Sequence, residues 1–378
     1  MTARTRSTAW LAVVAAATSI AVAACSPPAK DSSGSSGSSG GSAATATSAQ
    51  ALGGMDALVA AAKKEGTLNV IALPPDWANY GAIITAFGTK YGIKVNSAQP
   101  DASSADEISA ATRLKGQDSA PDVFDLGAAV ATANTTMFAP YKTTTFDSVP
   151  TDLKDANGLW VNDYGGYMSV GYDSSKVPAP TSFADLLKPA YKGKVALNGD
   201  PTKAGAAFAG VQMASIASGG SAGEVTKGVD FFKQLKKAGN FIPVDPTPAT
   251  IASGQTPVVI DWDYLNAAQT AKVPTWKVYV PDNAVVAGYY VQAVSKDAPH
   301  PAAARLWQEF LYSDEGQNLW LKGGARPVRF DDMKKAGTLD ATAAAALPPV
   351  TGTPVVPTAA DSDTAKAYLA KEWANAVG

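Results

Sequence analysis

Apolar and polar positions along this chain change period in short, regular blocks. Residues 55–64 (MDALVAAAKK) carry apolar side chains at helical spacing and are stopped by Gly66, which predicts an amphipathic helix. Residues 67–73 (TLNVIAL) then read as a strand, and a helical pattern through Ile83, Ile84 and Phe87 runs to Tyr91 and Gly92. Residues 94–97 predict a second strand, 104–114 a helix, and 121–126 (PDVFDL) a third strand. Repeated strand–loop–helix units predict an α/β fold with mostly parallel strands.

Residues 160–172 (WVNDYGGYMSVGY) break the rhythm with an extended stretch rich in aromatics and glycine, which predicts a crossing strand. A new series follows, with a helix at 183–187 and a strand at 194–197 (KVAL). The run Asn198-Gly199-Asp200-Pro201-Thr202-Lys203-Ala204-Gly205 then opens a helix, with Pro201 suited to its first turn. Free N–H groups there could receive an anion or a carbonyl, or Asp200 could simply cap them. A helix at 229–238 and strands at 242–244, 258–260 and 276–280 come next, and then a second extended crossing, 285–294 (VVAGYYVQAV). Two crossings predict two lobes, one from residues 51–170 plus 286–378 and the other from 171–285. Helices at 301–312, 315–321 and 365–373 complete the tail.

The centre of this arrangement is residues 256–268 (TPVVIDWDYLNAA). A β-branched apolar run marks a buried parallel strand, and its carboxyl end carries Asp261, Trp262, Asp263 and Tyr264. Ligands of open α/β sheets bind beyond the carboxyl ends of strands. Asp76, Trp77 and Tyr80 follow the first strand and Asp125 the third, so acids and rings recur at three strand ends. Carboxylates beside aromatic faces suit an organic cation. The structural alternative makes each aspartate a helix cap and each ring a packing element. Asn198, Asp200, Thr202 and Arg326 could hold a negative group instead, which makes a zwitterion the third reading.

Composition changes this picture little. The 378 residues are 46% hydrophobic and 17% charged, with 31 Lys+Arg against 33 Asp+Glu, so no strong field draws the chain to nucleic acid. The first residues change it more. Arg4 and Arg6 precede an uncharged apolar run from 9 to 24, shorter than a membrane span, which predicts a signal peptide over residues 1–24. Val22-Ala23-Ala24-Cys25 resembles a bacterial lipobox, with Cys25 the lipidated residue. Cys25 is the single cysteine, so no disulfide can form within the chain. Residues 25–50 are small and polar, a flexible linker that leaves the body outside the cytoplasm, tied to the outer face of the cell membrane. One histidine and no cysteine in the body leave zinc sites and histidine triads without parts. His300, between two prolines, reads as a surface residue at a helix start.

Three stretches carry a family resemblance: Lys64-Glu65-Gly66-Thr67-Leu68, Tyr191-Lys192-Gly193-Lys194-Val195-Ala196-Leu197, and the segment from Ala298-Pro299-His300-Pro301 to Ser313-Asp314-Glu315-Gly316-Gln317. They resemble the extracellular solute-binding lipoproteins of ABC importers. Within these, the likeness is to the type II periplasmic-binding-protein fold of the polyamine, thiamine, phosphonate and ferric-ion subgroup. The resemblance implies two lobes joined by two crossing hinge strands. They close on a small charged organic solute, cationic or zwitterionic, and hand it to a membrane permease. It implies a monomer, no cofactor and no chemistry on the ligand. Ferric ion fits less well, because the adjacent Tyr289 and Tyr290 point to opposite faces of a strand; Tyr289 alone is taken as a pocket residue.

An enzyme reading has a specific basis. Asp261 and Asp263, two apart on an extended segment, would share a face at roughly 7 Å, inside the range of an inverting glycosidase pair. Trp262 and Trp77 could then stack on a sugar, as in an enzyme or a carbohydrate-binding lipoprotein. A surface scaffold or adhesin, in contrast, would bind no small molecule saturably.

Overall fold

The structure, a computed structural model, describes residues 42–378. The expected signal segment, Cys25 and the first part of the expected linker lie outside the described residues. The last part of that linker is not a tether. Ala46 and Ala49 are buried. The Arg305 guanidinium donates from Nε to the Ala46 carbonyl at 2.7 Å and from Nη2 to the Ala44 carbonyl at 3.0 Å. Small residues without an apolar period are bound here through their backbone, so the folded body starts before residue 51.

The first lobe opens with α1 (Met55–Glu65), β1 (Thr67–Ile71), α2 (Tyr80–Tyr91), β2 (Lys94–Ala98), α3 (Ser104–Arg113), β3 (Val123–Gly127), α4 (Ala128–Ala133) and the short β4 (Phe138–Ala139). Gly66 ends α1 at φ 72°, a left-handed position that glycine fills without strain, and its N–H returns to the Ala62 carbonyl. A reciprocal Ser103–Asp106 capping box starts α3. β1 and β2 pair in parallel.

The crossing strand β5 (Val161–Asp173) is the element both lobes share. Val161–Tyr167 pairs antiparallel with β9, and Met168–Tyr172 with β7. Between Asn162 and Gly165 the register slips, leaving Asp163 and Tyr164 out of the pairing with β9. Such bulges re-aim side chains next to sites.

The second lobe contains β6 (Val195–Leu197), α5 (Gly205–Ala217), α6 (Thr226–Lys237), α7 (Pro248–Ser253), β7 (Val258–Trp262), α8 (Asp263–Ala268) and β8 (Trp276–Tyr279). β6 and β7 are parallel, whereas β5 runs antiparallel to both β7 and β8. The strand expected at 242–244 does not form. The Ile242 N–H reaches the Val195 carbonyl at 2.9 Å, but Pro243 has no N–H to continue a ladder.

The chain returns through β9 (Ala287–Ser295), which pairs antiparallel with both β3 and β5. The tail follows as α9 (Pro301–Leu311), α10 (Asp314–Lys322), β10 (Arg326–Pro327), α11 (Phe330–Ala336), α12 (Ala341–Ala345) and α13 (Ala359–Val377). A capping box between Thr358 and Asp361 starts α13 earlier than the pattern suggested. Its buried residues Ala365, Leu369, Trp373 and Ala376 form one stripe, and Trp373 meets Phe232 of α6 edge-on at 5.2 Å. This last helix therefore packs mainly on α6 of the second lobe, where the 286–378 assignment expected the first, and it also touches α4 of the first. The largest buried side chains, Trp276, Trp307 and Trp320 among them, lie between helices and sheets of both lobes. Among the described residues, no helix is long and apolar enough to cross a membrane.

Candidate functional site

The β7–α8 corner, where the sequence concentrated its chemistry, is buried throughout. Asp261 lies within β7, buried along its whole length, and Asp263 is already the first residue of α8, so the two are not a same-face pair on an extended segment. Asp261 accepts from the Trp262 N–H at 2.8 Å and from Asn198 Nδ2 at 2.9 Å. Burial pushes its carboxyl up to about 7, against the pull of those two donors. Asp263 accepts from the Tyr167 N–H at 2.9 Å and the Tyr264 N–H at 3.1 Å, and its other oxygen pairs with Arg326. Burial raises this carboxyl too, while Arg326 draws it down. The Arg326 guanidinium lies over the Tyr167 ring at 4.5 Å and donates to the Pro348 carbonyl at 3.0 Å. Both aspartates thus spend their oxygens on protein donors, which removes the geometric basis of the glycosidase reading.

Trp262 stacks parallel to Tyr264 at 6.4 Å. Its indole lies where a Cβ on Gly288 would be, so β9 needs glycine at that point. Gly288→Ala should displace the indole and cost about 1–3 kcal/mol, the usual range for overpacking. Urea denaturation read by tryptophan fluorescence checks this; an unchanged midpoint and spectrum would contradict the packing.

Beneath the corner lies a cluster of acids and rings. The Tyr164 hydroxyl, set by the β5 bulge, donates to Asp125 at 3.1 Å and accepts from Trp77 Nε1 at 2.8 Å. Tyr164 stacks on Tyr290 at 5.4 Å, and Trp77 meets Tyr290 and Tyr264 edge-on. Tyr80 is buried and accepts from Gln292 Nε2 at 3.0 Å. The Asp125 N–H donates to Glu107 at 3.1 Å, and the Tyr164 N–H donates to Asp163 at 2.7 Å. Burial pushes Asp125 up to about 7 and raises Glu107 and Asp163 well above the usual carboxylate range.

The cavity lies beside this cluster, with a volume of about 670 Å³. Its floor is β9 from Gly288 to Val291 together with Trp262, and one wall is the end of β3 with the start of α4. The opposite wall is the turn 201–205 and α5, which begins at Gly205 with no side-chain cap. Pro201 is therefore outside the helix rather than in its first turn. Asp200 does not cap it either, but accepts from the Thr202 N–H at 2.8 Å and hydroxyl at 2.7 Å. Uncapped N–H groups at a helix start favour anions. The charged side chains on the lining are Asp152, Lys203 and Lys366.

Of the ligand residues expected from the sequence, Thr202, Trp262 and Tyr289 line this cavity, and so does Tyr290, which the alternation of a strand had set on the opposite face. The others do not. Asp76 is exposed in the turn after β1. Trp77, Tyr80 and Asp125 belong to the buried cluster, Asn198 and Asp261 are bonded to each other, Asp200 shapes a turn, and Asp263 is paired with Arg326. The lining also includes Trp160 and Asn162, which stand in the quoted aromatic crossing stretch, and Phe208 and Lys366, which no local pattern marked. His300 starts α9 as expected, but its ring and backbone N–H are held by the buried Asp122 at 2.9 and 2.7 Å. Among the described residues, no group of three or more His, Cys, Asp or Glu could hold a metal ion.

Two α/β lobes joined by two crossing strands, with a solute-sized cavity at the strand ends, define the type II periplasmic-binding-protein fold. The chain belongs to the bacterial extracellular solute-binding protein family, whose pattern matches residues 119–350. Solved structures share the fold across most of the chain. Iron-bound HitA from Pseudomonas aeruginosa is 21% identical with a TM-score of 0.62, over 82% of this chain and 99% of that one. AfuA from Actinobacillus pleuropneumoniae with fructose-6-phosphate is 17% identical, TM-score 0.62, over 82% and 98%. A putative spermidine/putrescine ABC transporter protein from Listeria monocytogenes is 13% identical, TM-score 0.62, over 82% and 98%. Comparison with curated protein sequences found no match.

Proposed function

We propose that this chain is the substrate-binding component of an ABC importer, tethered through a lipidated Cys25, and that its solute carries an anionic group, zwitterions included. The observation that carries this reading is the cavity between the lobes, with the uncapped start of α5, Lys203 and Lys366 on its lining. Of the four aspartates that favoured a cation, Asp125, Asp261 and Asp263 are bonded to protein partners and Asp76 is exposed in a turn, and none of them is on that lining. Among the described residues Asp152 is the single acid there, and with the Trp160 and Tyr289 rings it suits the positive end of a zwitterion. The AfuA structure, which holds fructose-6-phosphate, is consistent with an anionic solute on this fold. Contacts made to both lobes stabilise the closed form over the open one, which is the form a permease would recognise.

A thermal-shift screen tests the solute class, since a ligand bound only by the folded state raises the melting point. Hexose phosphates and 2-aminoethylphosphonate should raise it, and spermidine should not. A rise with spermidine alone would return the solute to the polyamine class. Tyr289 is half-buried on the cavity floor. Tyr289→Ala should weaken the bound solute at least tenfold while shifting the ligand-free melting point little, which isothermal titration and calorimetry together resolve.

A further inference from the structure

We infer that α13 is a third wall of the solute cavity and that Lys366 is a ligand-binding residue, presenting its ammonium group to the anionic group of the solute. This rests on the anionic reading above. The family pattern ends at residue 350, so it does not cover this helix.

The segment before α13 is fixed to the cavity floor. The Ala287 N–H donates to the Val355 carbonyl at 2.9 Å, and the Val355 N–H donates to the Val285 carbonyl at 2.7 Å. The helix is then anchored on the second lobe through its buried stripe. Gly223 lets the chain pass close to Asp361, since a Cβ there would come within 3.2 Å of the Asp361 Cα. At the far end Lys236 Nζ donates to the Val377 carbonyl at 2.6 Å. Residues 365, 369, 373 and 376 face the protein, so the stripe one position around, Ser362, Lys366 and Ala370, is turned to the cavity that it lines.

From that stripe Lys366 Nζ reaches the first lobe, donating to the Ala129 carbonyl of α4 at 3.1 Å. An ammonium group has three protons to donate and this carbonyl takes one. Partial burial lowers the pKa of this ammonium group from its ordinary value, and Asp363 on the same helix offsets part of that. The other charged groups on the lining are Lys203 and Asp152. A partly desolvated cation with donors to spare, at the seam of a cavity, is completed by an anionic guest held between α13 and α5.

The test is isothermal titration of the mature protein with inorganic phosphate, fructose 6-phosphate and spermidine, using wild type, Lys366→Gln and Lys366→Arg. Lys366→Gln should bind the phosphates at least tenfold more weakly, and Lys366→Arg should keep most of the affinity, with melting points close to wild type. Equal phosphate affinity in wild type and Lys366→Gln would overturn this assignment and leave the anionic reading standing. Binding of spermidine alone, tightened by Lys366→Gln, would overturn both.

Discussion

Arg326→Met should destabilise the protein by about 3–5 kcal/mol at neutral pH, the cost of stranding one partner of a buried ion pair. Asp263 is fully buried, so its carboxylate has no water to fall back on when the Arg326 side chain, itself only 15% exposed, is removed. The two N–H groups from Tyr167 and Tyr264 remain, but they share a single carboxylate oxygen. The loss should shrink as pH falls, because the stranded carboxyl can then take up a proton. The double variant Asp263→Leu/Arg326→Met should recover much of the loss, as buried pairs replaced together by apolar groups often do. Chemical denaturation at pH 5 and pH 8 measures all of this. A variant that stays as stable as wild type but loses solute binding would make Arg326 a ligand residue, the role the sequence suggested.

The second large effect is a pH dependence that runs opposite to ordinary acid denaturation. Asp125 and Asp261 hold protons up to about 7 in the folded chain, whereas an unfolded aspartate ionises near ~3.9. Below the unfolded value both states are protonated and these groups contribute no slope. Between ~4 and about 7 the folded state binds more protons, so stability falls as pH rises. Above the folded value both states are ionised and the full penalty persists. Glu107 and Asp163, also raised by burial, act in the same direction. Asp106 and Asp361, whose carboxyls are lowered by their capping hydrogen bonds, act in the opposite direction below pH ~4. Calorimetry should therefore find the highest melting point in mildly acidic buffer. Asp125→Asn keeps an oxygen for the Tyr164 hydroxyl and removes the charge, so it should flatten the decline and melt higher than wild type at pH 8. A profile the same in both proteins would mean that Asp125 is not ionised out of water.

Much of the frame was legible because its signals are local. The buried run of β7 and the long extended stretches of β5 and β9 each show in a few consecutive residues, and Gly66 marks the end of α1. The strand expected at 242–244 failed on Pro243, which the apolar neighbours Ile242 and Val244 outweighed in a pattern reading. The candidate site was legible only as a neighbourhood. Asp261 and Asp263 do sit at a strand end in the cleft region, but whether a carboxylate faces a solute or a protein donor depends on Asn198 and Arg326, both more than sixty residues away. Lys366 was harder still. It reaches the cavity because a helix far along the chain lies on α6, and no short stretch records that.

The change of partner in the middle of β5 sets how the two jaws can move. One uninterrupted strand belongs to both sheets, leaving β9 at Tyr167 and joining β7 at Met168. Sliding one half past the other would tear ladders on both sides of that point, whereas a twist there strains chiefly the single bond from the Met168 N–H to the Val286 carbonyl. A closing motion would therefore be a twist of a ribbon clamped at each end, small at its axis and growing with distance from it. Gly288 on the floor, close to that point, would travel least in such a twist, and the Lys366–Ala129 bond between α13 and α4 would be among the contacts it strains.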